Sequence, residues 1–173
     1  KIPTESYLTD RVDFATFSSH KFHGVRGVGF VYIKSGKKIT PLLTGGGQER
    51  DYRSTTENVA GIAATAKALR LAMEKLDLFA SKTSQMKEVI RQALLDYPDI
   101  FVFSGEEDFA PHILTFGIKG VRGEVIVHAF EDYDIFISTT SACSSKAGKP
   151  AGTLIAMGVE KDKAQSAVRL SLD

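Results

Sequence analysis

Ser18-Ser19-His20-Lys21 stands between the apolar run Phe14-Ala15-Thr16-Phe17 and the glycine-spaced segment Gly24-Val25-Arg26-Gly27-Val28-Gly29. The flanking segments, 13–17 and 28–33, are rich in Phe, Val and Ile, which predicts two strands on either side of a loop that carries Lys21. The glycines let the backbone approach a ligand closely, and a lysine in such surroundings can bond covalently to a carbonyl cofactor. An ordinary surface turn has a similar composition, so these residues alone leave both interpretations open.

Two more motifs follow in the chain. The first combines Gly45-Gly46-Gly47-Gln48-Glu49-Arg50 with Arg53-Ser54-Thr55-Thr56-Glu57-Asn58, and the second is Ser141-Ala142-Cys143-Ser144-Ser145. Together with the segment from Ser18 to Phe30, they resemble the motifs of cysteine desulfurases, in that family's order. Cysteine desulfurases are pyridoxal 5'-phosphate (PLP) enzymes of the class V aminotransferase group, and the resemblance spans nearly the whole chain.

The resemblance implies an α/β fold, with the C-terminal part of the large domain of PLP-dependent transferases followed by a smaller α+β domain. From Ile100 the pattern changes to short strands that alternate with helical stretches, unlike the first segment. We expect the domain boundary near residue 77, within or just after the first predicted long helix, so that residues 1–77 form the cofactor-binding part. Residues 78–173 would form the small domain that carries the Cys143 loop, and we expect this domain to be truncated at its end. Motifs that stack on the cofactor ring and pair with its pyridine nitrogen would precede Lys1. We therefore expect a fragment with little or no activity alone.

By the same resemblance, Lys21 carries the cofactor, and Ser18 and His20 hold its phosphate. Thr56 matches the threonine that reaches the phosphate in the neighbouring subunit, which implies a homodimer. Arg169 alternates with apolar residues in 167–172, and its guanidinium needs a partner that can accept two hydrogen bonds. The pattern alone somewhat favours an internal Asp or Glu as this partner, whereas the resemblance implies the α-carboxylate of the substrate.

Cys143 lies among small, polar and helix-breaking residues, which predicts a loop. An exposed thiol near Lys146 and Lys149 can have a pKa below its usual value of about 8.5, but composition alone favours neither a reactive nor an inert cysteine. The resemblance implies that Cys143 attacks the sulfur of the bound substrate and becomes a persulfide. Because one cysteine cannot form an intrachain disulfide, we expect a reducing, cytoplasmic environment.

The composition argues against several other kinds of function. With 22 Lys and Arg against 21 Asp and Glu, the formal charge is +1, which gives no reason to expect a nucleic-acid partner. The chain has no apolar run near the ~20 residues that a membrane span needs and no apolar core of a signal peptide at its start. His23, His112 and His128 have no companion ligands at metal-binding spacing, so we predict no metal site.

Periodicity and capping signals predict the other elements. Ser54 and Glu57 fit a capping box that opens a long helix running to about Leu76. A second amphipathic helix is expected over 82–96, with Met86 and Val89 on its apolar face, and Pro98 prevents its continuation. The remaining predictions are strands at 100–103, 113–117, 135–138 and 168–172 and helices at 122–130 and 153–157.

The expected reaction converts L-cysteine to L-alanine and passes the sulfur to an acceptor protein. Candidate acceptors are an iron–sulfur scaffold and a tRNA- or cofactor-thiolation enzyme, although Lys146-Ala147-Gly148-Lys149 departs from the scaffold-serving members. A selenocysteine lyase, or another class V enzyme that needs Lys21 but not Cys143, is the first alternative. A non-catalytic fragment that serves as a binding module is the second.

Overall fold

A computed structural model describes residues 8–105, 109–139 and 152–173. The chain divides into two compact units, Lys1–Leu76 and Asp77–Asp173. Cys143, together with the Ser141–Ser145 motif around it, lies outside the described residues.

The first unit contains an antiparallel strand pair, β1 (Phe14–Ser18) and β2 (Gly29–Ile33). Every residue of β1 pairs with a residue of β2, from Phe14 opposite Ile33 to Ser18 opposite Gly29. A short 3-10 helix, Ser19–Phe22, follows β1 directly. The rings of Phe17 and Phe30 stack with their centroids 4.7 Å apart. Both strands predicted around Lys21 are therefore confirmed.

Helix α1 (Val59–Glu74) completes this unit. The predicted long helix is confirmed, but the predicted capping box is wrong: Asn58 is the N-cap, and its side chain accepts a hydrogen bond of 3.0 Å from the Gly61 N–H. The Val59 N–H bonds to the carbonyl of Glu57, a tight turn that ends the preceding loop just before the helix. The Ser54 N–H instead donates to the Leu43 carbonyl, which ties Ser54 to that loop.

The second unit packs helices against a four-stranded antiparallel sheet of order β3-β4-β6-β5. Helix α2 (Leu76–Leu95) leads into it from the unit boundary. The strands are β3 (Ile100–Val102), β4 (Ile113–Ile118), β5 (Ser138–Thr139) and β6 (Val168–Ser171), and the helices are α3 (Gly123–Glu131), α4 (Gly152–Ala156) and α5 (Lys161–Gln165).

The hydrophobic core of the second unit lies around β4 and β6. Phe116, Ile126 and Val168 form one buried cluster, and Leu154, Ala164 and Ala167 form another. Every fully buried hydrophobic side chain among the described residues belongs to this unit. In the first unit, strand pairing and polar contacts such as that between Ser19 and Thr65 therefore stand where the second unit has buried apolar side chains.

Several predicted elements in the second unit differ in extent. Helix α2 starts six residues earlier than predicted, and β5 starts at Ser138 where the predicted strand ended. The predicted apolar face of α2 is wrong at Val89, which is 71% exposed, whereas Thr83 and Lys87 are buried. Helix α5 was not predicted at all. No helix in the described part of the chain is long and apolar enough to cross a bilayer.

Candidate active site

The turn after β1 brings three of the predicted site residues together. Ser18 ends the strand and is the N-cap of the 3-10 helix, and His20 and Lys21 lie within that helix. All three side chains are exposed, whereas Ser19 between them is fully buried. The Ser18 side chain makes no capping hydrogen bond. One short turn therefore presents a hydroxyl, an imidazole and an amine to the surroundings.

The backbone of Ser19 closes this turn at both ends. Its N–H donates to the Val28 carbonyl at 3.0 Å, and its carbonyl accepts from the Gly24 N–H at 3.0 Å. The N–H of His23 also donates to this carbonyl, with His23 in the left-handed region at φ 64°. A Cβ atom on Gly24 would overlap the Ser19 hydroxyl, so the turn requires glycine at this position. These contacts fix the backbone on both sides of Lys21.

Helix α1 contacts the turn through small and polar residues. The hydroxyl oxygens of Thr65 and Ser19 lie 3.0 Å apart, and Thr65 Oγ1 also lies 2.8 Å from the Gly61 carbonyl. A Cβ atom on Gly61 would lie 2.8 Å from Val28 Cγ2, so the helix approaches the strand ends closely at this point. Neither Ser19 nor Thr65 is predicted as a site residue from the sequence. The only local signal is the spacing of four between Gly61 and Thr65, which puts both on one helix face.

The first unit also contains an open groove of about 1070 Å³. Its walls include Val31 and Ile33 of β2 and Ile62 and Leu69 of α1, so most of the lining is apolar. The loop that carries Arg50 borders the same groove. In this loop Glu49, Arg50 and Asp51 are consecutive residues with positive φ, a conformation that costs energy for residues other than glycine.

Thr56 lies in the same unit, in the segment before α1. Its side chain is exposed, and it precedes the Asn58 N-cap by two residues. Thr56 is therefore outside the helix, and its hydroxyl is not part of the helix N-terminus as the capping prediction implied. The contact of Thr56 with the phosphate of a neighbouring subunit stays a prediction.

Arg169 lies in the second unit, on β6. Its neighbours across the sheet are Thr115 of β4 and Ser138 of β5, both with hydroxyl side chains. The Nε atom of Arg169 is buried and has no hydrogen-bond acceptor among the described residues. No described carboxylate forms a salt bridge with it either, so the internal-carboxylate alternative gains no support from the residues described.

The chain leaves β5 at Thr139, four residues before Cys143 in the sequence. Because β5 is paired with β6 at Ser138 and Thr139, the cysteine motif follows the strand that lies beside Arg169. The role of Cys143 itself remains a prediction.

Lys87 of α2 is a buried lysine with a lowered pKa. It is only 6% exposed, and burial, followed by the nearby positive charge of Arg91, lowers its pKa from 10.5, against an opposing effect of Glu88. Its Nζ donates to the Ala110 carbonyl at 3.3 Å and lies 5.6 Å from the centre of the Phe109 ring. Lys87 serves the packing of the second unit. Among the described residues no group of three or more His, Cys, Asp or Glu could hold a metal.

Comparison with known proteins gives consistent matches along the chain. The family model "Aminotransferase class-V" matches residues 9–173. A "NifS/IcsS protein homolog" from Lactobacillus delbrueckii subsp. bulgaricus is 52% identical over 98% of this chain and 44% of its own length. A "Cysteine desulfurase IscS" from Clostridium botulinum is 38% identical over 93% of this chain and 41% of its own length.

Solved structures agree with the sequence matches. A "NifS-like protein" superposes with a TM-score of 0.80 at 36% identity, covering 93% of this chain and 41% of the other. A NifS-like protein from Rickettsia africae also gives a TM-score of 0.80, at 30% identity, over 94% and 42% of the two chains. The chain thus has the α/β fold of these proteins and spans less than half the length of the relatives it matches.

Proposed function

The chain belongs to the class V aminotransferase family, and we propose that it supplies the cofactor lysine and the sulfur-accepting cysteine of a cysteine desulfurase. The observation that carries this proposal is the turn after β1, where Ser18, His20 and Lys21 are exposed together on a backbone fixed at both ends. Relatives named NifS and cysteine desulfurase, at 52% and 38% identity, support the same reaction class.

The residues present suit PLP. Lys21 offers an amine for covalent attachment, and Ser18 and His20 offer a hydroxyl and an imidazole N–H to the phosphate. The Ser18 hydroxyl makes no capping bond within its own helix, which leaves it available for that contact. When bound, PLP supplies an electron sink for reactions at the substrate α-carbon.

The remaining steps fall to residues of this chain. Lys21 Nζ moves the proton at the substrate α-carbon, as general base and then as general acid. Arg169 binds the substrate α-carboxylate, a role supported by its buried Nε atom, which lacks an acceptor among the described residues. A guanidinium suits this role because it donates two parallel hydrogen bonds to a carboxylate.

Cys143 takes the sulfur. Its thiolate attacks the substrate sulfur, the carbon–sulfur bond breaks, and a proton is delivered to the carbon that loses sulfur. L-Cysteine and the Cys143 thiol thus become L-alanine and the Cys143 persulfide, with no external oxidant. We propose that the persulfide then passes to an acceptor protein, either an iron–sulfur scaffold or a thiolation enzyme for tRNA or a cofactor.

The two compact units fit the domain assignment of this proposal. Residues 1–77 would be the C-terminal part of the PLP-binding large domain, and residues 78–173 the small domain with the cysteine loop. We propose a homodimer in which Thr56 reaches the phosphate of the neighbouring subunit, since Thr56 is exposed and outside α1. A cytoplasmic location is proposed from the single cysteine.

The test is transfer of one sulfur atom to Cys143. The PLP-loaded chain is incubated with L-cysteine, and the peptide with Cys143 is analysed by mass spectrometry for a persulfide. Because we expect this chain to have little activity alone, the expected signal is a small fraction of Cys143 that gains one sulfur in the wild-type chain. Cys143→Ala and Lys21→Ala should form neither persulfide nor alanine. Alanine release that survives in Cys143→Ala would favour the lyase alternative, and a Cys143 persulfide that forms to the same extent in Lys21→Ala would contradict the proposal.

A further inference from the structure

Two buried hydroxyl groups in the first unit have no part in the proposed chemistry. Ser19 is fully buried and Thr65 is 7% exposed, and their oxygens lie 3.0 Å apart although 46 residues separate them in sequence. Among the described residues of this unit no large hydrophobic side chain is fully buried. A polar contact thus occupies the place where the turn meets α1.

Counting protons shows how both hydroxyls are satisfied. Each carries one proton, and Thr65 Oγ1 lies near two acceptors, the Gly61 carbonyl at 2.8 Å and Ser19 Oγ at 3.0 Å. Both contacts are made at once when Thr65 donates to the Gly61 carbonyl and Ser19 donates to Thr65. The turn is then linked through Thr65 to the backbone of α1.

Ser19 is also the residue whose backbone closes the turn at Val28 and Gly24. It immediately precedes His20 and lies two residues before Lys21, so a shift of Ser19 moves the groups that would hold the cofactor. We propose that the Ser19–Thr65 hydroxyl pair is a positioning device that sets Lys21, and with it the PLP-binding turn, against α1. This inference rests on the proposed function for the part that concerns PLP.

Thr65→Val is the decisive variant because it keeps the side-chain shape and replaces the hydroxyl with a methyl group. It leaves the buried Ser19 hydroxyl without its acceptor, so the turn should leave its present position. We expect PLP affinity, measured by the visible absorption of the lysine-bound cofactor, to fall about tenfold, and Thr65→Ser to restore it to within about twofold.

Thr83→Val is the matched control. Thr83 is likewise a buried helical threonine that bonds to the carbonyl four residues earlier, at 2.7 Å, but it lies on α2 in the second unit. This variant should lose a comparable amount of stability without changing PLP affinity. If Thr65→Val lowers stability as Thr83→Val does and binds PLP as the wild type does, the hydroxyl pair is merely structural and the inference is overturned.

A second readout does not need the cofactor. The Gly24 N–H donates to the Ser19 carbonyl, so its hydrogen exchange reports whether the turn stays closed. In Thr65→Val we expect this amide to exchange at least about tenfold faster relative to the amides of the β1–β2 pair. If the wild-type chain fails to bind PLP, the proposed cofactor site fails, while unchanged exchange at Gly24 would separately overturn the positioning role.

Discussion

Gly24 shows how one missing side chain shapes the turn that carries Lys21. A Cβ atom at this position would overlap the Ser19 hydroxyl, which is buried and bonded to Thr65. We therefore expect Gly24→Ala to lower the free energy of unfolding by about 1–3 kcal/mol, as overpacking does. Gly152→Ala is the control, because a Cβ atom there meets none of the described residues within 4 Å. Equal stability of the two variants in denaturant unfolding would refute this account of the turn.

Lys87 should make the stability of the chain depend on pH in the alkaline range. Burial lowers its pKa from 10.5, so between the lowered value and 10.5 the unfolded chain binds more protons than the folded one. The wild-type chain should therefore gain stability from this group as the pH rises through that range. The stability of Lys87→Met relative to the wild type should therefore fall as the pH rises from 7 towards 10.5.

The exposed Lys82 on the same helix gives the control for that prediction. Lys82→Met removes a positive charge from α2 without changing a buried amine. Its stability relative to the wild type should stay constant over the same pH range. A constant difference for Lys87→Met as well would show that burial of Lys87 has no effect on its protonation.

At the level of single residues, the sequence motifs point to Ser18, His20 and Lys21, which adjoin in the chain and share one turn. Ser19 and Thr65 could not be found in this way, because their contact joins positions 46 residues apart and exists only after β1, β2 and α1 have assembled. Alternation along the strand singled out Arg169, but its buried Nε atom without an acceptor among the described residues is visible only in three dimensions.

Helix α1 depends on Asn58 for its start. The Asn58 side chain accepts the Gly61 N–H at 3.0 Å, which satisfies one of the unpaired donors of the first turn. Asn58→Ala should therefore cost about 1 kcal/mol of stability. Ser54→Ala, at the position that the sequence pattern favoured as the cap, should cost clearly less. If the two losses in thermal or denaturant unfolding were reversed, the helix start described above would be wrong.

Helices and strands could be predicted where the apolar periodicity was strong and residues adjacent in sequence determined the local structure. The strands around Lys21 and the long helix α1 follow from apolar runs bounded by glycine and polar residues. The helix start was misplaced because Ser54 and Glu57 match a capping box while the backbone of Ser54 is engaged with Leu43. The face of α2 was misjudged because Lys87 is buried against Phe109 and Ala110, a contact between separate elements.

The distribution of buried apolar side chains differs between the two units. In the described part of the chain all fully buried hydrophobic residues, among them Leu114, Phe116 and Val168, lie in Asp77–Asp173. Regions with few buried apolar contacts open at lower free energy. We therefore expect amides of β4 and β6 to exchange at least about tenfold more slowly than those of β1 and β2. Equal protection in native-state hydrogen exchange would mean that the units are equally stable.

For the whole molecule, we propose that Lys21 takes the cofactor. The most direct measurement is to incubate the chain with PLP, reduce it with borohydride and locate the attached group by peptide mass spectrometry. We expect one reduced cofactor on the peptide containing Lys21 and a visible band before reduction. Both should be lost in Lys21→Ala but not in Lys75→Ala. No label, or a label that persists elsewhere in Lys21→Ala at the wild-type level, would contradict it.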